Sequence, residues 1–246
     1  MGKRYADPPI VEAVCEFRLT PATKWDLTIP GLIYAKVKED FPNKEQRPIQ
    51  EVEFTQSQEG TQQQIRASEL ALFLAENRET FIQVGPRLLA VNRLKPYHSW
   101  ARFKPSIEKA FGALTDTVDV EGLQRIGLLY INRIEIPGSP VDLDKYFEFR
   151  PFLGDNLPQD MANFFLGCRL PFRDGKELCR VELISAVPEN PNSVAILLRL
   201  DYHFAHPNVV RPDGALEWVE AAHSQVEEIF EGCITDRLRE IFQELE

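Results

Sequence analysis

Strict alternation of apolar and polar residues is the feature that most constrains how this chain can fold. Over 194–204, Arg199, Asp201 and His203 alternate with apolar residues. The apolar positions are Ile196, Leu198, Leu200, Tyr202 and Phe204. Successive side chains of a β-strand point to opposite faces, so this pattern predicts a strand with one buried face and one wet face.

Similar patterning and turn residues predict further strands along the chain. They lie near 11–18, 50–56, 61–67, 70–75, 80–84, 87–92, 125–136, 162–170 and 177–186. Apolar residues at helical spacing predict helices over 26–41 and 100–114, and one long C-terminal helix over 215–245. The sequence therefore predicts an α+β fold.

The order of elements repeats. Asp26 and Pro42 are separated by sixteen residues, as are Asp142 and Pro158. We expect two halves, 1–118 and 119–246, each with a strand, a helix, antiparallel strands and a second helix, and each forming its own antiparallel sheet. This arrangement resembles the TATA-binding-protein-like and helix-grip folds. Chance similarity within an ordinary α+β protein is the alternative.

Charge and composition exclude several classes of function. The net charge is −10, so unaided binding to a phosphate backbone needs a local basic patch. The chain has no apolar run of about 20 residues, the length that spans a bilayer. The first residues carry no apolar segment typical of a secretory signal. We therefore expect a cytoplasmic protein with no membrane partner.

Four cysteines stand far apart, with no pair at metal-ligand spacing. Cys15 and Cys179 fall in apolar strand patterns, and Cys233 falls in a helical one. We expect these three to be buried as small hydrophobic residues. A single disulfide or a reactive thiol is the alternative.

Charged residues on the polar side of the predicted strands form a candidate partner-binding face. They are Glu16, Arg18, Arg133, Glu135, Arg180, Glu182, Arg199, Asp201 and His203. Opposite charges on one sheet face pair with neighbouring strands. The face is therefore either a self-neutralising surface in contact with water or a surface that recognises another protein or a ligand.

Residues 93–104 form the most basic stretch of the chain. Arg93, Lys95, Arg102 and Lys104 alternate there with aromatic residues, among them Tyr97. Stacking rings and cationic side chains are what a single-stranded nucleic acid requires. The alternative is a junction whose aromatic residues anchor a helix on the sheet.

The commonest catalytic motifs are absent from the sequence, including the P-loop, the dinucleotide-binding glycine pattern and the zinc-protease motif. Glu51 and Glu53 alternate on one strand face, as in the tunnel-fold triphosphatases, but Thr55 stands where those enzymes carry lysine. His203 and His206 are the only close histidine pair, and a strand directs them to different faces. We therefore expect no metal and no cofactor.

Three motifs resemble a sporadically distributed, functionally uncharacterised prokaryotic family of about this length. The N-terminal motif is Y-x-x-P-P-I-x-E-A from Tyr5, and the central one is R-I-G-L-x-Y-I-N-R-I from Arg125. The third runs from Val91 to Phe103. Leu129 departs from the arginine expected in the central motif, which argues against an anion site there. The patchy occurrence of the family resembles that of anti-phage and mobile-element loci.

Taken together, these features predict a non-enzymatic module or adaptor that binds another protein, and the resemblance implies an accessory role in such a locus. A nucleic-acid or nucleotide binder that uses 93–104 is the second hypothesis. A metal-dependent phosphate-processing enzyme that uses Glu51 and Glu53 is the third.

Overall fold

The computed structural model describes residues 3–57, 60–138, 140–159 and 161–245, with the backbone alone for 49–57 and 60–68. The strands are β1 (Arg4–Tyr5), β2 (Ile10–Leu19), β3 (Asn43–Ser57), β4 (Gly60–Leu74), β5 (Thr80–Gly85), β6 (Leu88–Leu94), β7 (Leu123–Pro137), β8 (Phe165–Phe172), β9 (Glu177–Ala186), β10 (Ser193–Phe204) and β11 (Glu244–Leu245). The helices are α1 (Ile29–Val37), α2 (Trp100–Thr115), α3 (Ala215–Cys233) and α4 (Asp236–Phe242). The α+β class is thus confirmed.

Nine strands form one antiparallel sheet in the order β3–β4–β5–β6–β2–β7–β10–β9–β8. β2 pairs with β7 along most of its length, with Ala13 opposite Tyr130 and Phe17 opposite Ile126. The expectation of a separate sheet in each half is therefore wrong, because the first strands of the two halves pair with each other. β1 and β11 pair separately and join the two ends of the described chain.

The hydrophobic core lies between the sheet and its helices. Helix α2 contacts β6, while α3 contacts β7 and β10. In β2 the odd-numbered positions face this core, and Phe17 stacks on Phe111 of α2 with ring centroids 4.5 Å apart. The predicted apolar face of the helix at 100–114 is confirmed. Its members Phe103, Ile107, Phe111 and Leu114 are all buried.

The C-terminal helix was predicted as one element, but it is broken between α3 and α4. Ile234 has extended backbone and forms a bridge with Phe147. The Thr235 N–H donates to the carbonyl of Tyr146, and its hydroxyl donates to that of Lys145. These contacts with a distant segment replace the hydrogen bonds of a continuous helix, so the helical periodicity of 215–245 does not predict the break.

Two more elements differ from the sequence pattern. The strands predicted at 61–67 and 70–75 form the single strand β4, which pairs with β3 from Gly60 to Leu74. In the described residues between β7 and β8, the only helical turn is the 3₁₀ turn Leu143–Lys145. Among the described residues, no helix combines the length and apolar character needed to cross a membrane.

The four cysteines are free thiols. Cys15, Cys179 and Cys233 are buried, as predicted, and Cys168 is partly exposed. Burial raises the pKa of the Cys15, Cys179 and Cys233 thiols, which keeps them protonated near neutral pH.

Candidate interaction face

The polar face of the sheet lies opposite the helices, and all nine residues of the predicted partner-binding set lie on it. The register aligns them across strands: Arg199 of β10 is opposite Glu182 of β9, and Asp201 is opposite Arg180. They share this face because side chains alternate along each strand, so that the apolar residues face the helices and the charged residues face the opposite side of the sheet. We call this surface the polar face.

Arg125 organises the centre of the polar face. Its guanidinium donates to Glu16 Oε1 at 2.8 Å and also to Asp201 Oδ1. Arg18 donates to the same Glu16 carboxylate at 2.9 Å. His203 Nδ1 lies 3.7 Å from Asp201 Oδ1. One arginine of β7 thus links the carboxylates of β2 and β10.

Electrostatics keep this centre charged. Burial raises the pKa of Asp201, but the neighbouring His203 side chain and the charge of Arg125 outweigh it, so the pKa lies below its ordinary value. Arg125 is not among the residues predicted for this face. The two-residue period of β7 does identify it, because positions 125 and 133 are separated by an even number of residues and therefore lie on the same face of the strand.

Two further charge clusters flank the centre. Glu182 is 2% exposed and pairs with Arg180 and with Arg199, whose Nη1 lies 3.1 Å from Oε2. At the end of β7, Glu135 accepts from Arg133 at 2.7 Å and from the Ser193 hydroxyl at 2.7 Å. Burial raises the pKa of Glu135, yet these donors and the Glu189 N–H lower it overall.

A cleft of about 290 Å³ opens at the centre of the polar face. It is lined by Val14, Glu16, Arg18, Arg125, Gly127, Leu129 and Asp201. A Cβ at Gly127 would lie 2.2 Å from Arg125 Nη1, so a larger residue there would displace the guanidinium from its present position. The cleft therefore combines apolar side chains with two arginines and two carboxylates held in fixed pairs.

The same face is apolar on the β3–β6 side. A cluster of four leucine and phenylalanine side chains is buried there, with two more leucines packed against it. They are Leu70, Leu72, Leu74 and Phe81, with Leu88 and Leu94. The polar face thus continues into an apolar patch.

Glu12 lies where these two regions meet, and burial raises its pKa although Asn92 donates a hydrogen bond at 3.2 Å. The charges of Arg199 and Arg47 also lower that pKa.

The basic stretch 93–104 is a junction between β6 and α2. Tyr97 is 8% exposed, and its hydroxyl lies 3.2 Å from that of Tyr130. Arg93 pairs with Glu79 at 2.9 Å, and Lys104 pairs with Glu220 at 2.9 Å. Lys95 and Arg102 are exposed. The Tyr97 ring is therefore buried in the core and has no free face on which a base could stack.

A buried polar chain beneath the sheet was not anticipated from the sequence. Tyr97 contacts Tyr130, whose hydroxyl lies 3.1 Å from His223 Nδ1. His223 stacks on Trp100 at 4.2 Å, and its Nε2 lies 3.4 Å from Glu227. Burial lowers the pKa of His223 to about 4, although the charge of Glu220 raises it. The neutral ring thus joins α2, β7 and α3.

The residues considered for metal chemistry are described only in part. The side chains of Glu51 and Glu53 lie outside the described residues. His203 faces the polar side of β10, while His206 is exposed in the following loop. Among the side chains that the structure describes, no group of three or more histidine, cysteine or acidic residues is placed to hold a metal ion.

Comparisons with protein-family models, curated proteins and solved structures found no match to this chain. The resemblance carried by the three sequence motifs stays a prediction. The functional argument therefore rests on the geometry of the polar face.

Proposed function

We propose that this chain is a non-enzymatic interaction module that binds another protein through the polar face. The observation that carries the proposal is the central cleft, in which Val14 and Leu129 lie beside the paired charges of Glu16, Arg125 and Asp201. Protein interfaces combine apolar contacts with arginine in this way.

The fixed charge pairs support recognition rather than catalysis. Arg125 is 25% exposed in its side chain, and two carboxylates hold it in place. Side chains that are already ordered lose little conformational entropy when a partner binds. A partner that supplies its own charges can form additional hydrogen bonds with these groups at defined positions.

The test compares two charge-introducing variants. Leu129→Glu adds a carboxylate in the cleft, whereas Glu217→Arg changes an exposed residue of α3 on the helix side. A tagged chain from the native host, washed at low and high salt, first identifies the partner. Binding is then measured with purified proteins.

We expect Leu129→Glu to weaken binding by about 100-fold, the scale of a lost central contact of roughly 3 kcal/mol. We expect Glu217→Arg to bind within about threefold of wild type. Equal binding by wild type and Leu129→Glu, with both proteins folded by circular dichroism, overturns the proposal. Recovery of nucleic acid alone, lost at high salt, instead favours the second hypothesis.

The resemblance to a patchily distributed family extends the proposal to an accessory role in an anti-phage or mobile-element locus. A phage challenge of the native locus, with and without Leu129→Glu, tests this extension. Loss of protection in the variant is expected, and full protection without the gene contradicts the role.

We also propose that the halves 1–118 and 119–246 arose by duplication of one unit, of the TATA-binding-protein-like or helix-grip kind. The strand order supports this: β2 and β7 are central, and the later strands of each half extend outward from them. An experimental structure in which β2–β6 superposes on β7–β10 by a rotation near 180° is expected. Helices that fall on opposite faces after superposition contradict the duplication.

A further inference from the structure

The edge strand β8 exposes backbone hydrogen-bonding groups in a regular row. The Ser185 N–H donates to the Phe164 carbonyl at 3.1 Å, which makes these two residues a hydrogen-bonded pair. The register continues without a shift from Phe165 opposite Ile184 to Phe172 opposite Glu177. Hydrogen-bonded pairs alternate in an antiparallel ladder, so even-numbered residues of β8 bond to β9.

Phe165, Gly167 and Arg169 therefore direct their N–H and C=O groups away from the sheet. No described residue donates to or accepts from these groups, and β8 is the last strand in the sheet order. Phe165 is 64% exposed. Pro171 occupies the next outward position, where its missing N–H removes no bond to β9.

From this row of groups we infer that β8 pairs with β8 of a second copy of the chain, antiparallel and with Gly167 on the two-fold axis. In that register Gly167 faces Gly167, and Phe165 of each copy faces Arg169 of the other. The three outward N–H groups of each strand then meet the three outward C=O groups of the other. Pro171 lies outside this set.

The side chains of β8 are compatible with this self-pairing. Arg169 is the strand's only charged residue, and it lies opposite a phenylalanine ring that offers a cation–π contact. The two Arg169 residues are offset by four positions, about 14 Å along the strand. That distance exceeds the screening length of about 8 Å at physiological salt, so their repulsion is weak.

The pairing has a consequence for the polar face. Phe165, Gly167 and Arg169 lie on the same side of the sheet as Glu182 and Arg180. Two copies joined at β8 therefore form one continuous sheet whose two clefts open on the same side. This inference concerns the sheet edge and does not depend on what the cleft binds.

Sedimentation equilibrium of the full chain tests the inference with two variants at one position. Arg169→Pro removes an outward N–H but no hydrogen bond to β9, whereas Arg169→Ala keeps that N–H. We expect a wild-type dimer at micromolar concentration, a shift in dissociation constant below about tenfold for the alanine variant, and at least about 100-fold for the proline variant. A monomeric wild type, an unchanged proline variant or equal losses in both variants overturns the inference.

Disulfide trapping gives a second readout that does not require the proline variant to fold. In a Cys168→Ala background, Gly167→Cys places two thiols across the axis, with Cα atoms about 5.5 Å apart, within the disulfide range. The new Cβ is crowded by the exposed ring of Phe165 at 3.1 Å, which can rotate away, and makes an ordinary contact with Glu182 Cγ at 3.7 Å. Phe165→Cys is the matched control, because its two thiols lie about 14 Å apart.

With oxidised glutathione as the oxidant, we expect a covalent dimer from Gly167→Cys and none from Phe165→Cys. A dimer that crosslinks through position 165, or not at all, overturns the register. A monomer whose Gly167→Cys thiol crosslinks to a different protein also overturns the inference, in favour of a strand supplied by a partner.

Discussion

Protonation of His223 should destabilise the fold, because its ring is neutral and buried between α2, α3 and the sheet. The side chain is 11% exposed, stacks on Trp100 and accepts from the Tyr130 hydroxyl at Nδ1. This assignment places the proton on Nε2, toward Glu227. Burial lowers the pKa to about 4, against an ordinary value of 6.5.

The sign of the effect follows from proton linkage. Between pH 6.5 and pH 4 the unfolded chain binds a proton at this histidine and the folded chain does not, so the free energy of unfolding decreases as the pH falls. Integrating between pH 7 and pH 5 gives a loss of about 2 kcal/mol. For a chain of this size the loss corresponds to a decrease in Tm of about 4–8 °C.

His223→Gln removes the titrating group and keeps an oxygen that accepts from Tyr130. The matched control is His206→Gln, at an exposed loop position. Thermal unfolding at pH 7 and pH 5 should give a smaller decrease in Tm for His223→Gln than for wild type, by about 4–8 °C. The control should behave as wild type. An equal decrease in all three proteins refutes the assignment of a low pKa to His223.

Three further predictions concern the packing of the core and the burial of the cysteines. Phe17→Ala removes a fully buried ring that stacks on Phe111, so the free energy of unfolding measured by chemical denaturation should fall by about 3–5 kcal/mol. A decrease below about 1 kcal/mol contradicts this packing. Trp218→Phe removes the indole N–H that donates to buried Glu177 at 2.8 Å, so the free energy of unfolding should fall by about 1.5–3 kcal/mol. An unchanged free energy of unfolding would show that water replaces the hydrogen bond. Labelling of the native protein with a thiol reagent should modify Cys168 first, and rapid modification of a second thiol contradicts the burial of the others.

The strands and their faces follow from the sequence because a two-residue period is a local property. The alternation around Arg199 and Asp201 places both on the polar face, as does the pair Arg133 and Glu135. The face of α2 that packs on the sheet is equally local, and Phe103 is buried as its spacing requires.

Contacts between distant segments account for what the sequence does not predict. The break at Ile234 depends on a bridge to Phe147, which lies far away in the chain. The pairing of β2 with β7 joins two patterns that look like separate units. The burial of Tyr97 depends on Tyr130 and Phe103, so a basic and aromatic stretch that suggests nucleic-acid binding serves as an anchor for α2.

The most direct test of partner recognition through the polar face is photo-crosslinking in the native host. A photoreactive phenylalanine analogue replaces Leu129 in the cleft or, as a control, Glu217 on the exposed side of α3. The proposal predicts that position 129 crosslinks to one discrete protein and that position 217 does not. Crosslinking from position 217 alone, or no protein crosslink from position 129, contradicts it.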